Sequence, residues 1–167
     1  MALTRVKAAG STGILKTTST LVTNNLPAGT VVQQVQLFND TTFSTSSTSY
    51  VTTSATVSIT PIYSNSNMNI FVCGGLYTTH PSEYRGQLQK NGSVISTAFD
   101  NEDLPLYHHN ANSNAELGGM MAQVYTDQNV NTSSSITYAY YVKRAGSNSA
   151  TLYFYRNYGI LVQEVKQ

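Results

Sequence analysis

Between Ala55 and Pro61 the chain alternates strictly, with Ala55, Val57 and Ile59 set against Thr56, Ser58 and Thr60 until Pro61 stops the run. Successive side chains on an extended strand point to opposite faces, so this stretch makes a strand with one apolar and one hydroxyl face. A 3.6-residue period does not fit it. The preceding residues, Thr41 to Ser49, read as a hydroxyl-rich connection, and Tyr50 to Thr60 reads as mostly strand. This serine- and threonine-rich tract is thus one wall of a fold rather than a mucin-like spacer. Its outer face is polar yet uncharged, and therefore cheap to desolvate when a neighbour covers it.

The same period recurs along the chain. Val31, Gln33, Val35 and Leu37 alternate with Val32, Gln34, Gln36 and Phe38. That imperfect pattern suits a strand touching protein on both faces. Residues 69–77 are more continuously apolar. Asn91-Gly92 stands between Gln87–Lys90 and Ser93–Ile95, a strong short-range hairpin signal. Further runs are Met120–Tyr125, Ile136–Val142, Thr151–Tyr155 and Gly159–Val165, and Gly146–Ser149 supplies a turn. Residues 100–115 read as a long surface loop. No stretch has a convincing amphipathic helical pattern. The expectation is an all-β, jelly-roll-like antiparallel β-sandwich of about eight or nine strands over residues 30–167. The strand inventory alone does not separate a jelly roll from other sandwiches. Residues 1–29 have no sustained period and end at Asn25-Leu-Pro-Ala-Gly29, so they read as an extended amino-terminal arm.

Composition limits the function classes. Only 10% of the 167 residues are charged, against roughly 25% in an average soluble protein. With 40% hydrophobic residues and a net charge of +1, a folded chain is favoured over disorder. No basic cluster suits phosphate, so nucleic acid is not an expected partner. The amino terminus lacks an apolar signal core, and no run approaches about 18 apolar residues, so membrane insertion is not expected either. The single cysteine, Cys73, excludes an intrachain disulfide and reads as a buried structural thiol. Three Asn-X-Ser/Thr triplets, at Asn39, Asn91 and Asn131, read as turn chemistry.

Asp100, Glu102, Asp103, His108 and His109 lie close together, but without the regular spacing of a metal site. They read as a solvated loop, and no metal or cofactor is expected. Nucleophile elbows, P-loops, paired-cysteine zinc patterns and His-Glu-x-x-His are all missing, which favours a non-enzymatic protein. The twelve tyrosines, with no tryptophan, are more informative. Tyr138, Tyr140, Tyr141, Tyr153, Tyr155 and Tyr158 crowd the carboxy-terminal part. Period two puts Tyr138 and Tyr140 on one face with Ile136 and Val142, and Tyr141 on the other. Tyr153 and Tyr155 oppose Leu152 and Phe154. A large apolar ring with a polar tip suits sheet packing, a subunit interface or a glycan platform. The pairs Gly74-Gly75 and Gly118-Gly119 interrupt strand-like runs, which usually marks a bulge or a close backbone approach.

Several segments in order resemble a family of short β proteins of marine tailed bacteriophages. They are Ala28–Gln33, the tract ending in Val57-Ser-Ile-Thr-Pro61, and the apolar strand after a Ser/Asn turn. The Gln87–Ile95 hairpin, Ile136–Val142 after its Thr/Ser turn and Gly159–Val165 complete the series. The resemblance spans residues 28–165, while the 100–115 loop and the dense terminal tyrosines are particular to this chain. It implies a virion component with a jelly-roll domain, a homotrimer used as a head decoration, head fibre or tail-fibre tip. On that reading the arm binds the capsid or another virion protein, with Arg5, Lys7, Lys16, Leu21 and Leu26 as anchoring candidates. The chain is short for a complete tail fibre, which favours capsid decoration. The alternative is a tail-fibre or receptor-binding module that recognises host-surface glycan or protein.

Overall fold

A computed structural model describes residues 26–79, 83–95, 104–107, 117–145 and 150–167. The strands are β1 (Val31–Asn39), β2 (Phe43–Thr45), β3 (Val51–Ile59), β4 (Ser66–Thr78), β5 (Tyr84–Lys90) and β6 (Ser93–Val94). They continue with β7 (Leu104–Tyr107), β8 (Leu117–Val130), β9 (Ile136–Arg144), β10 (Leu152–Phe154) and β11 (Tyr158–Lys166). No helix among the described residues is long and apolar enough to cross a membrane.

The strands form two antiparallel sheets. In the six-stranded sheet β4 is central, with β8 along one edge and β11 and β10 end to end along the other; β1 and β2 lie beyond β11 and β10 respectively. In the five-stranded sheet the order is β3-β9-β5, with β6 and β7 along the far edge of β5. Among the described residues eleven strands thus fill eight strand positions, because three positions are occupied by interrupted strands. In chain order, position one pairs with eight, two with seven, three with six and four with five. The described strands thus pair as one long ribbon folded across two layers.

Local chemistry explains the interruptions and turns. Asn91 (φ 50°) and Gly92 (φ 79°) both adopt positive φ, as the tight hairpin between β5 and β6 requires. The Asn91 side chain also accepts from the Thr137 N–H at 2.8 Å, which ties the turn to β9. In β3 the pairing with β9 slips between Thr52 and Thr56, where Ser54 takes φ 65°. This bulge turns Thr53 inward, and its hydroxyl donates to the Tyr140 carbonyl at 3.0 Å. Burial alternates through the bulge and beyond it, and Ala55, Val57 and Ile59 are buried as their alternation predicts.

Between the sheets lie Ile70 and Val72 of β4, Leu88 of β5, Ile136 and Val142 of β9, Phe154 of β10 and Ile160 and Val162 of β11. At the centre of the packing Gly74 faces Tyr158, and an added Cβ there would lie 2.5 Å from the Tyr158 Cβ. Gly74 therefore marks a close approach. The ladder runs through it to β8 without a register shift, so it is not a bulge.

Three expectations change. Residues 104–107, placed in a loop, form β7 against β5. The connection at 41–49 contains β2, whose Phe43 packs edge-on to Phe154 at 6.1 Å between ring centroids. Cys73 is half-buried on the outer side of β4, because the inward positions of that strand are Ile70, Val72 and Gly74.

Candidate functional site

The terminal tyrosines divide by strand parity. Tyr138, Tyr140 and Tyr158 point into the core and are at most 2% exposed. Each phenol has a partner there. Tyr138 donates to Asp127 Oδ2 at 2.6 Å, Tyr140 to Met121 Sδ at 3.5 Å and Tyr158 to the Thr53 carbonyl at 2.6 Å. Burial pushes all three phenols above their ordinary pKa. For Tyr138 the hydrogen bond and negative charge of Asp127 push the same way, even though Lys90 Nζ stands 2.6 Å from that carboxylate. These three rings hold the sheets together and offer no surface. Tyr141 and Tyr153 are half-buried and Tyr155 is 49% exposed, so the outward members of the group are these three. The Tyr153 and Tyr155 rings lie 5.6 and 5.8 Å from Tyr77, a residue that the tyrosine pattern left aside.

Below this aromatic cluster the outer face of the six-stranded sheet is apolar. Registered across β1, β11, β4 and β8, one row is Phe38, Gly159, Cys73 and Ala122. The next is Gln36, Leu161, Phe71 and Val124, and the third, Gln34, Gln163, Asn69 and Thr126, is polar. No side chain in the three rows is charged. Gln163 donates to Gln34 Oε1 at 2.9 Å and Thr126 to Asn69 Oδ1 at 3.0 Å, so the polar row is internally bonded.

Phe38, Phe71, Cys73, Leu161 and Gln163 line a shallow groove of about 290 Å³. Gly159 shapes it: a Cβ there would come within 2.7 Å of Phe38 Cδ1, so glycine lets the Phe38 ring lie over the strand. Beside the groove, Met120 and Val124 project from β8 and are 84% and 62% exposed. Exposed apolar side chains gathered beside a groove make this face the candidate interaction surface. The sequence signal for it was apolar residues at both parities of residues 69–77: Ile70 and Val72 serve the core, and Phe71 and Cys73 serve the outer face.

Buried chemistry occurs at Glu164, which has 0% exposure. It accepts hydrogen bonds from the N–H groups of Ile62 and Tyr63, the Ser66 hydroxyl and the Gln33 amide. With every near neighbour a donor to it, the carboxylate fastens the Pro61–Asn65 connection to β11. It has no free oxygen for substrate chemistry. Among the described residues no group of three or more His, Cys, Asp or Glu comes together. Asp100, Glu102, Asp103, His108 and His109 lie outside the described residues, as do Arg5, Lys7, Lys16 and Leu21. Leu26 is described. Its carbonyl accepts from Lys166 Nζ at 2.8 Å, and Gly29 and Thr30 bond to the Lys166 backbone, so the segment before β1 is tied to the end of β11.

No family model and no curated protein matches the chain. Among solved structures it is similar to dimeric latent PorU from Porphyromonas gingivalis, at 10% identity and a TM-score of 0.43. That similarity covers 83% of this chain and 13% of PorU, so the chain spans a small part of that protein's length.

Proposed function

We propose that this chain is a non-enzymatic structural protein of a virion, a homotrimeric capsid decoration or head-fibre protein with a jelly-roll domain. The observation that carries the reading is the strand pairing. Positions one to eight, two to seven, three to six and four to five form a ribbon, which rolls into layers ordered 1-8-3-6 and 2-7-4-5. That order is the one a jelly roll calls for, and it supports placing the domain among the jelly rolls that recur in capsid and lectin domains. The resemblance of residues 28–165 to short β proteins of marine phages gives the virion setting. The uncharged outer sheet and the fastening of Leu26–Thr30 beside β11 support an assembly whose arm leaves from one corner of the domain. The particle surface is the proposed location, and the arm is the proposed contact with capsid or another virion protein.

Deleting residues 1–29 tests the anchoring role. The truncated protein is expected to remain a folded oligomer by sedimentation and circular dichroism, yet to stay in the supernatant when particles are pelleted. Truncated protein that still pellets with particles would refute it.

A second reading, a receptor-binding module for host-surface glycan, is favoured by the outward cluster of half-buried Tyr77 and Tyr153 with exposed Tyr155, since such rings stack on sugars. Binding on a glycan array that vanishes in Tyr153→Ala and Tyr155→Ala would support it over decoration alone.

A further inference from the structure

We infer that copies of this chain pack on one another through the outer face of the six-stranded sheet, with Met120 and Val124 of one copy seated in the Phe38–Phe71–Leu161 groove of the next. The inference rests on the homotrimer proposed above and gives that trimer its contact.

Two observations point to a second copy as the occupant. First, the face is uncharged through its three registered rows, so identical surfaces meet without like-charge repulsion. A charged partner would find nothing there to recognise. Second, projection and recess occur on the same chain. Met120 and Val124 stand out from the β8 edge, while Gly159 and the tilted Phe38 ring keep the groove open on the β1 and β11 side. A knob on one half of a face and a hole on the other make a head-to-tail contact, which closes into a ring when the rotation allows. The size of the face sets how firmly the copies hold. Four strand positions about 4.8 Å apart, each with about nine residues rising about 3.3 Å, give a flat footprint of roughly 570 Å². A head-to-tail ring divides that footprint between two neighbours, so each contact lies at the small, dissociable end of interface sizes. The bonded Gln, Asn and Thr row then forms the polar rim.

The full-length protein carries its own reporter, since Cys73 is its only cysteine and lines the groove. The experiment combines sedimentation velocity with the rate at which Cys73 reacts with an aromatic disulfide reagent over a dilution series. Proteins compared are wild type, Val124→Lys, Phe38→Glu and the double variant, each checked for an unchanged circular dichroism spectrum. Met120, Val124 and Phe38 are all substantially exposed in the single chain, so folding tolerates a charge at the two sites changed.

Wild type is expected to sediment as a trimer with Cys73 protected, and to lose protection as dilution dissociates it. Each single variant should show a threefold fall in mass and fast labelling at every concentration. The double variant, which places opposite charges across the knob and the hole, should regain the trimer. Single variants that remain trimeric with Cys73 protected overturn this contact while leaving the trimer standing. A double variant that stays monomeric overturns the seating of Val124 against Phe38. A wild type that is monomeric and freely labelled at every concentration overturns the contact together with the trimer.

Discussion

Replacing Glu164 by Gln removes a charge while keeping the shape, and the structure fixes what should follow. Oε1 receives the Ile62 and Tyr63 N–H groups at 3.0 and 2.9 Å and the Ser66 hydroxyl at 2.6 Å; Oε2 receives the Gln33 amide at 2.6 Å and shares the Ile62 N–H at 2.9 Å. In the best arrangement the new carbonyl keeps the three donors, the Ile62 N–H gives up its second acceptor and the new NH2 faces Gln33. The Gln33 amide must then flip and give up its 2.7 Å bond to the Thr60 carbonyl. Three bonds to a charged oxygen become neutral ones, at a loss of about 1 kcal/mol each, so the total is about 3 kcal/mol. For a domain of this size that is a fall in Tm of roughly 6–12 °C.

The pH dependence supplies a sharper check. Burial alone would raise the Glu164 carboxyl, but the Ile62 N–H, the Ser66 hydroxyl, the Tyr63 N–H and the Gln33 amide outweigh it. Together they hold the group below the ordinary Glu value of 4.5. A carboxyl depressed in the folded state stabilises fully above its unfolded pKa, and loses that contribution as pH falls through the folded one. Urea unfolding of wild type and Glu164→Gln should therefore differ by a constant amount at neutral pH. The difference should close steadily once the pH drops below about 4.5. A neutral-pH difference under about 1 kcal/mol, or one that does not narrow in acid, would refute the assignment of Glu164 as the charged fastener.

Gly159→Ala should be among the most damaging small substitutions, because its Cβ would collide with the Leu37 carbonyl and the Phe38 Cα, which are backbone atoms that cannot swing away; a loss of about 3 kcal/mol by urea unfolding is expected. Gly74→Ala meets the Tyr158 Cβ instead, and should cost about 1–3 kcal/mol in the same assay. Gly119→Ala serves as their control: nothing lies within 4 Å of its Cβ, so its Tm should match wild type. Tyr158→Phe leaves the Thr53 carbonyl without its 2.6 Å donor and should lose about 1–2 kcal/mol, with the bulge in β3 loosening in amide exchange.

Local chemistry was legible wherever one residue type decides one conformation. Asn91-Gly92 could only be a tight turn, and Ala55-Thr-Val-Ser-Ile could only be a half-buried strand. Glu164 was also within reach, because Ile160, Val162 and Glu164 share a parity, and that parity belongs to the core. What stayed hidden was which face each strand turned inward once both parities were apolar. Cys73 looked buried for that reason, since its neighbours Val72 and Phe71 give no sign of which one faces the other sheet. The tyrosines posed the same difficulty. Their spacing gave two faces but not their depth, and for Tyr138 and Tyr140 depth depends on β9 lying at the centre of its sheet, between β3 and β5. Interrupted strands such as β1–β2 and β10–β11 are set by pairing across more than a hundred residues, which no local window contains.

That long-range pairing governs when the domain can form at all. β11, the last strand in chain order, lies between β1 and β4 and supplies a ladder to each. As the chain emerges from a ribosome, β1 waits unpartnered while everything from β2 to β10 is made. Hairpins such as β5–β6 can close early, but the six-stranded sheet cannot. Nascent chains arrested before Tyr158 would hold β1 and the β11-facing side of β4 as open edges, so the six-stranded sheet closes only once β11 has been made, and the window for misassembly lasts until then.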